Sequence, residues 1–175
     1  MSQVDFTDFS LETERLILVP LSIEYKYDVF LEFNSTISQY MFPKPADEIS
    51  ETEEFINSKI PGMKEGNDMQ TVITLKATGE FLGLAGLHEV KSKTPILGLW
   101  VKKSAHGNGY GREAITAMYH WAKKNTNADY FKYSVDKDNT QSIKIAESLG
   151  GKVTEIKSRK GLAGNPLNLL EYHIY

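Results

Sequence analysis

The chain has no cysteine, and that one absence removes disulfides, thiolate zinc sites and any cysteine nucleophile. A basic excess is also missing: 20 Lys and Arg stand against 23 Asp and Glu, a formal net charge of −3 at pH 7. General nucleic-acid or membrane-surface binders carry surplus positive charge, so neither partner is expected, although a local basic patch remains compatible. No uninterrupted apolar stretch approaches the roughly 20 residues needed to cross a bilayer. Met1 to Ser10 holds two aspartates without a basic cluster or apolar run, so no signal-peptide pattern is visible and a cytoplasmic protein is expected. Proline is sparse, at 6 residues, and no linker, repeat or low-complexity tract breaks the chain. What is present, 41% hydrophobic and 25% charged residues over 175 positions, suits one globular domain, 1–175.

Hydrophobic periodicity predicts an α+β (mixed α/β) fold with the order β-α-α-β-β-β-α-β-α-β-β. Arg15 to Pro20 is a β-rich run. Ser22 is placed to cap a helix through about Asn34, with Tyr25, Val29, Phe30 and Phe33 on one stripe. Ser50-Glu-Thr-Glu-Glu-Phe opens a second helix expected to end near Pro61-Gly62. Met69–Lys76 and Glu80–Val90 read as a hairpin turning at Ala77-Thr-Gly79, followed by a strand at Ile96–Val101. A helix over Gly111–Lys124, a strand over Tyr130–Val135 and a helix over Thr140–Leu149 come next. Strands at Lys152–Lys157 and Leu167–Tyr175, around an Asn165-Pro166 turn, complete about seven strands and four helices.

The most informative stretch runs Leu97-Gly-Leu-Trp-Val-Lys-Lys-Ser-Ala-His-Gly-Asn-Gly-Tyr-Gly-Arg-Glu-Ala114. It combines a short apolar strand, a loop with glycines at 107, 109 and 111, and a helix start. Glycine lets such a backbone turn tightly and aim several N–H groups at one ligand. The helix adds its unpaired N–H groups and the positive end of its dipole, so the segment is a cradle for phosphate. Lys102, Lys103 and Arg112 supply charge within reach of it. A dinucleotide site would want Gly-x-Gly-x-x-Gly in strand–helix alternation, and three consecutive strands precede this loop. A Walker loop would need Gly-Lys-Ser/Thr, which is absent. Asp136-Lys-Asp-Asn-Thr140 has the start of a calcium loop, but Gln141 replaces the required glycine, so no metal is assigned. Gly-x-Ser-x-Gly and His-Glu-x-x-His are missing, and His88, His106, His120 and His173 have no ligand spacing.

Four segments together resemble the GNAT-fold N-acetyltransferases, nearest the RimJ/RimL type that acetylates ribosomal-protein N-termini. Leu11-Glu-Thr-Glu-Arg-Leu-Ile-Leu18 is similar to that branch's opening strand, and Leu97 to Val101 to the strand whose backbone pairs with pantetheine. His106-Gly-Asn-Gly-Tyr-Gly111 resembles the pyrophosphate loop. Asn139-Thr-Gln-Ser142 through Glu147-Ser-Leu-Gly150 resembles the Asn-x-x-Ser helix and its terminating Leu-Gly. The resemblance covers roughly residues 11–175. Two positions depart from the pattern: His106 stands where Arg or Gln is usual, and Gly151 where an aromatic often follows.

The resemblance implies a mostly antiparallel GNAT sheet and an acetyl group moved from acetyl-CoA to a primary amine by direct attack in a ternary complex. A protein N-terminal amine is the favoured acceptor. A small-molecule amine, or acyl-CoA binding without catalysis, is the alternative. Cofactor-binding positions carried over are Leu99, Trp100, Val101, His106, Gly107, Asn108, Gly109, Tyr110, Gly111, Arg112, Asn139 and Ser142. Backbone N–H groups near Leu99 to Val101 are the expected donors to the thioester oxygen. Ser142, at a helix start, is the candidate to stabilise the leaving thiolate. Glu89, with His88 beside it on the strand next to Leu97–Val101, is the candidate base; adjacent residues face opposite sides, so only one can reach the site. A water chain could replace both. The Tyr40–Pro45 loop, the N-terminal helices and the final hairpin around Gly161–Pro166 are expected to wall the acceptor side. Exposed sheet edges make a homodimer compatible.

Overall fold

The computed structural model describes residues 4–175. Short antiparallel β1 (Leu11–Glu12) and β2 (Leu16–Pro20) lead into β3 (Asp68–Leu75), which runs antiparallel to β2. The chain then turns through Ala77-Thr78-Gly79, where Gly79 takes a φ of 75° at no steric cost, into β4 (Phe81–His88). Next come β5 (Ile96–Val101), antiparallel to β4, and β6 (Phe131–Asp136), parallel to β5. A parallel pair requires a crossover, and the helix Tyr110–Asn125 supplies it. With β7 (Lys152–Lys160) and β8 (Pro166–Ile174), the eight strands form one sheet in the order β1-β2-β3-β4-β5-β6-β8-β7.

Five helices cover the two faces: α1 (Lys26–Glu32), α2 (Ser35–Ser38), α3 (Ile49–Lys64), α4 (Tyr110–Asn125) and α5 (Thr140–Ser148). Helical spacing puts Ala114, Ile115, Met118 and Ala122 of α4 on one stripe, which buries against Leu16, Leu18, Ile73, Leu87 and Leu97. Each Leu, Ile or Met among them contributes about 1.5–3 kcal/mol on leaving water. On the opposite face Val29 of α1 and Ile56 of α3 pack with Leu21, Val72, Phe81 and Leu84. Sheet residues alternate between these cores, so Ile73 and Val72 face different helices. That parity decides which side chains reach the site.

The expected order holds, with corrections. The eighth strand is the two-residue β1, and the fifth helix is the four-residue α2, capped by Asn34 accepting from Thr36 and Ile37 N–H. Ser22 makes no side-chain cap; a 3₁₀ turn at Ile23–Tyr25 precedes α1 instead. Helix α3 begins at Ile49 and runs through Pro61-Gly62 to Lys64. It stops at Gly66, whose φ of 70° lets its N–H bond back to Met63 O at 3.0 Å.

Candidate active site

The centre of the site is a gap in the sheet. β5 and β6 pair only at Ile96↔Lys132 and Leu97↔Tyr133, and from Gly98 onward the two strands diverge. Lys102 N–H bonds to Leu82 O at 2.7 Å, so even-numbered residues of β5 direct their backbone groups to β4. The backbone groups of Leu99 and Val101 therefore point into the gap. His106 Nε2 takes Val101 O at 2.7 Å, which leaves the N–H groups of Leu99 and Val101 and the Leu99 carbonyl facing open space.

The loop at the gap's mouth is set by glycine. Gly107 and Gly109 have φ of 81° and 78°, a region that L side chains rarely adopt. Gly111 is needed for another reason: a Cβ there would lie 2.9 Å from Leu99 Cδ1, where α4 meets β5. The first α4 N–H with an acceptor is that of Glu113, to Gly109 O at 3.1 Å. The N–H groups of Tyr110, Gly111 and Arg112 remain at the positive end of the helix.

A clamp from the N-terminal segment holds this loop. Arg15 Nε meets Glu113 Oε2 at 2.7 Å, Arg15 Nη1 donates to Asn108 O at 2.9 Å, and the guanidinium lies over the Tyr110 ring. Glu113 Oε1 also accepts from Thr13 Oγ1 at 2.6 Å and from Arg15 N–H at 2.9 Å. Burial pushes the Glu113 carboxyl up, but these donors and the Arg15 charge outweigh it and hold the group below its ordinary 4.5.

Across the gap, Asn139 caps α5 by accepting from Ser142 N–H at 3.2 Å. Tyr133 is buried beneath Ser142; desolvation pushes its phenol up to about 12, with the Ser142 contact offsetting part. It stays protonated at neutral pH. The resulting cavity, about 650 Å³, is lined by β5, the glycine loop and the start of α5, with Lys103, Arg112 and Lys144 as its cations. Lys102 is not among them, because it pairs with Glu80 at 2.8 Å.

A second cavity of about 450 Å³ opens on the α1/α3 face of the sheet and shares Met41, Leu99 and Trp100 with the first. Leu84, Gly86 and His88 of β4 and Gly98 and Trp100 of β5 form its floor. Register brings Asp68 opposite His88 and Gln70 opposite Gly86. His88 Nδ1 lies 2.8 Å from Asp68 Oδ1, and Gln70 Nε2 donates to the same oxygen at 3.1 Å. A carboxylate can only accept, so Asp68 places the ring hydrogen on Nδ1 and the lone pair on Nε2, which Gln70 Nε2 approaches at 3.4 Å. The ring occupies space that the two glycines leave free: a Cβ on Gly86 would come 3.0 Å from Nε2, and one on Gly98 3.9 Å. Burial raises the Asp68 carboxyl, but the His88 contact, Gln70 and Lys59 prevail and hold it below its ordinary 3.8. The final hairpin secures the outer wall: Asn165 Nδ2 donates to Gln39 O at 3.0 Å, and Leu162 N–H to Phe42 O at 2.8 Å.

Residues 15–152 match the Acetyltransferase (GNAT) domain family. The chain belongs to the GNAT acetyltransferases. An uncharacterized N-acetyltransferase, p20 of Bacillus licheniformis, is 26% identical over 144 residues, 80% of each chain. Among solved structures, the ribosomal α-N-protein acetyltransferase RimL in complex with coenzyme A superposes at a TM-score of 0.82. The two share 18% identity over 94% of this chain and 97% of that one. The spermidine N-acetyltransferase of Vibrio cholerae, in complex with CoA and spermine, superposes at 0.79 with 18% identity, over 93% and 96% of the chains. As a GNAT enzyme the chain uses acetyl-CoA as its acetyl donor. The open strand and the glycine loop with its free N–H groups fit the pantetheine and pyrophosphate of that donor.

Of the positions expected at the cofactor in this GNAT site, Leu99, Trp100, Val101, His106, Gly107, Gly109, Tyr110, Gly111, Arg112, Asn139 and Ser142 all line the larger cavity. Asn108 does not: its amide turns back onto the carbonyls of Ala105 and His106, at 3.1 and 3.2 Å, and braces the loop. The Trp100 side chain points to the smaller cavity, against Phe33 and Phe81. Glu89 is displaced from its expected place. β4 ends at His88, and Glu89 sits exposed in the following turn at φ 53°, outside both cavities. His88 is the member of that pair that faces the site. Arg15, Thr13 and Glu113, and Asp68 with Gln70, went unread as site residues. The Thr13-x-Arg15 pair lies within the opening-strand motif, so that signal was available. Gly151, the other departure, is packed so that a Cβ would lie 2.8 Å from Ala146 O.

Proposed function

We propose that this enzyme acetylates a primary amine presented at the wall common to the two cavities. A polypeptide N-terminus is the first candidate and a small-molecule amine the second; the two solved relatives named above are of both kinds. The observation that carries the reading is the common wall, Met41, Leu99 and Trp100, with donor groups on one side and His88 on the other.

Bound acetyl-CoA supplies the acetyl group. The N–H groups of Leu99 and Val101, fixed by the sheet before reaction, accept the charge that develops on the thioester oxygen. His88 Nε2 takes the proton of the acceptor ammonium, so that a neutral amine attacks, and Asp68 steadies the imidazolium through Nδ1. Ser142 lies at the third position of α5, where its hydroxyl and the helix dipole favour the departing thiolate.

Thiol release from acetyl-CoA, with and without an amine, tests the proposal. Release that requires both supports it. Tight acetyl-CoA binding without release over a panel of peptide N-termini and small amines would favour a binding module that has lost catalysis.

A further inference from the structure

The smaller cavity has a chemical character that narrows the acceptor. Phe30, Phe33 and Trp100 line its interior, and Met41, Phe55 and Leu162 close its rim. Phe55 and Leu162 at the mouth are 39% and 61% exposed, so apolar surface continues outward. Charge is scarce and mostly paired. Lys44 and Lys59 line the wall against Asp47 and Asp68, and Glu51 is the carboxylate on the lining. Glu51 Oε2 already accepts Asp47 N–H at 2.9 Å. The ring face of Phe55 is also taken as a cation site, because Lys59 Nζ lies 5.5 Å from its centroid. A polyamine or aminoglycoside, whose further ammonium groups each need a carboxylate, finds a single one on this lining, Glu51.

From this lining we infer that the cavity selects a primary amine carried on one aromatic or branched aliphatic body with no second positive charge. The inference rests on the acetyl-transfer reading and names its substrate class. The apolar body packs among the rings, which places the amine over Gly86 and Gly98, where His88 Nε2 waits. At about 450 Å³ the cavity lies in the range of small-molecule sites. A free aralkylamine and the first residue of a peptide present the same chemistry.

The test is turnover of 2-phenylethylamine, of a lysine-free peptide beginning with phenylalanine, and of spermidine, each with acetyl-CoA, beside calorimetry of acetyl-CoA alone. At least one aromatic acceptor is expected to exceed spermidine by about tenfold or more in kcat/KM. The better of the two identifies the source. Spermidine turned over equally or better, with acetyl-CoA still bound, overturns the inference and leaves the acetyl-transfer reading standing. Absence of acetyl-CoA binding overturns that reading instead. Trp100 fluorescence, titrated with each amine and no donor, then decides the cavity: quenching by 2-phenylethylamine or the phenylalanine peptide but not by spermidine supports the selection, and any other pattern contradicts it. The variant Phe55→Glu, at a part-exposed position, is expected to shift preference toward spermidine by about tenfold. An unchanged ratio in the folded variant contradicts the assignment.

Discussion

The two cavities of this site are made of different material. The acetyl-CoA side is built from backbone: the open edge of β5, two glycines at positive φ and the N–H groups that begin α4. The proposed acceptor side is built from side chains brought together from α1, α3, β3, β4 and β5. Backbone geometry follows from local sequence and suits a ligand that does not change. Side chains are exchanged without disturbing the sheet and suit an acceptor that varies from one relative to another. One fold can thus keep its donor while its acceptor changes.

The sharpest way to break the comparison is Gly109→Val. Among the described residues, the heavy atom within 4 Å of a Cβ at that position is Arg15 Nη2, at 3.6 Å, so space is not limiting. A branched residue at φ 78° is, at a cost of about 1–3 kcal/mol, and the loop must leave its conformation. Calorimetry is expected to show acetyl-CoA affinity lowered about 100-fold or more, while circular dichroism and amine-induced Trp100 quenching stay as in the parent chain.

The converse change is Asp68→Asn. It leaves the loop untouched and removes the anion that orients His88. Turnover should fall about 10- to 100-fold with acetyl-CoA affinity unchanged. A parallel loss of affinity would mean that the two cavities are not separable.

Arg15→Ala probes the brace rather than the cradle. Losing its contacts to Glu113 and the Asn108 carbonyl should loosen the loop and weaken acetyl-CoA by about tenfold or less. The KM for the amine should not move.

The smallest effect is in acid. Asp68 and Glu113 both titrate below their ordinary values of 3.8 and 4.5, so each stabilises the folded chain fully above those values. That contribution is lost as pH falls through the lower folded values. Denaturant melts of parent and Asp68→Asn should therefore differ at pH 7 and converge as pH falls below the ordinary carboxyl value of 3.8. A constant difference would remove the Asp68–His88 contact as its cause.

What could be read in advance follows the same division. The Gly107–Gly111 spacing between strand and helix is a local signal, and the loop, its free N–H groups and the start of α4 lie where it put them. Leu97 to Val101 entered through its resemblance to the family strand that pairs with pantetheine, and the structure leaves the backbone of Leu99 and Val101 unpaired there. The acceptor side hid behind register. Counting outward from the pair Thr74↔Phe81 would set His88 opposite Asn67, and its partner would be misread. An irregularity between Ile73 and Thr74 shifts the pairing by one residue and brings Asp68 opposite His88 instead. The same strand ends one residue before Glu89, so alternation alone could not say which neighbour of the pair faces inward. β1 and α2, at two and four residues, are too short to show periodicity.

The account turns on His88 acting in chemistry and not in donor binding. The direct measurement is the acetyl-CoA dissociation constant of His88→Ala by calorimetry, taken beside its turnover with the best acceptor. An unchanged constant with turnover reduced about 10²- to 10⁴-fold is the predicted result. Unchanged turnover, or a loss of affinity that accounts for the lost turnover, would contradict it.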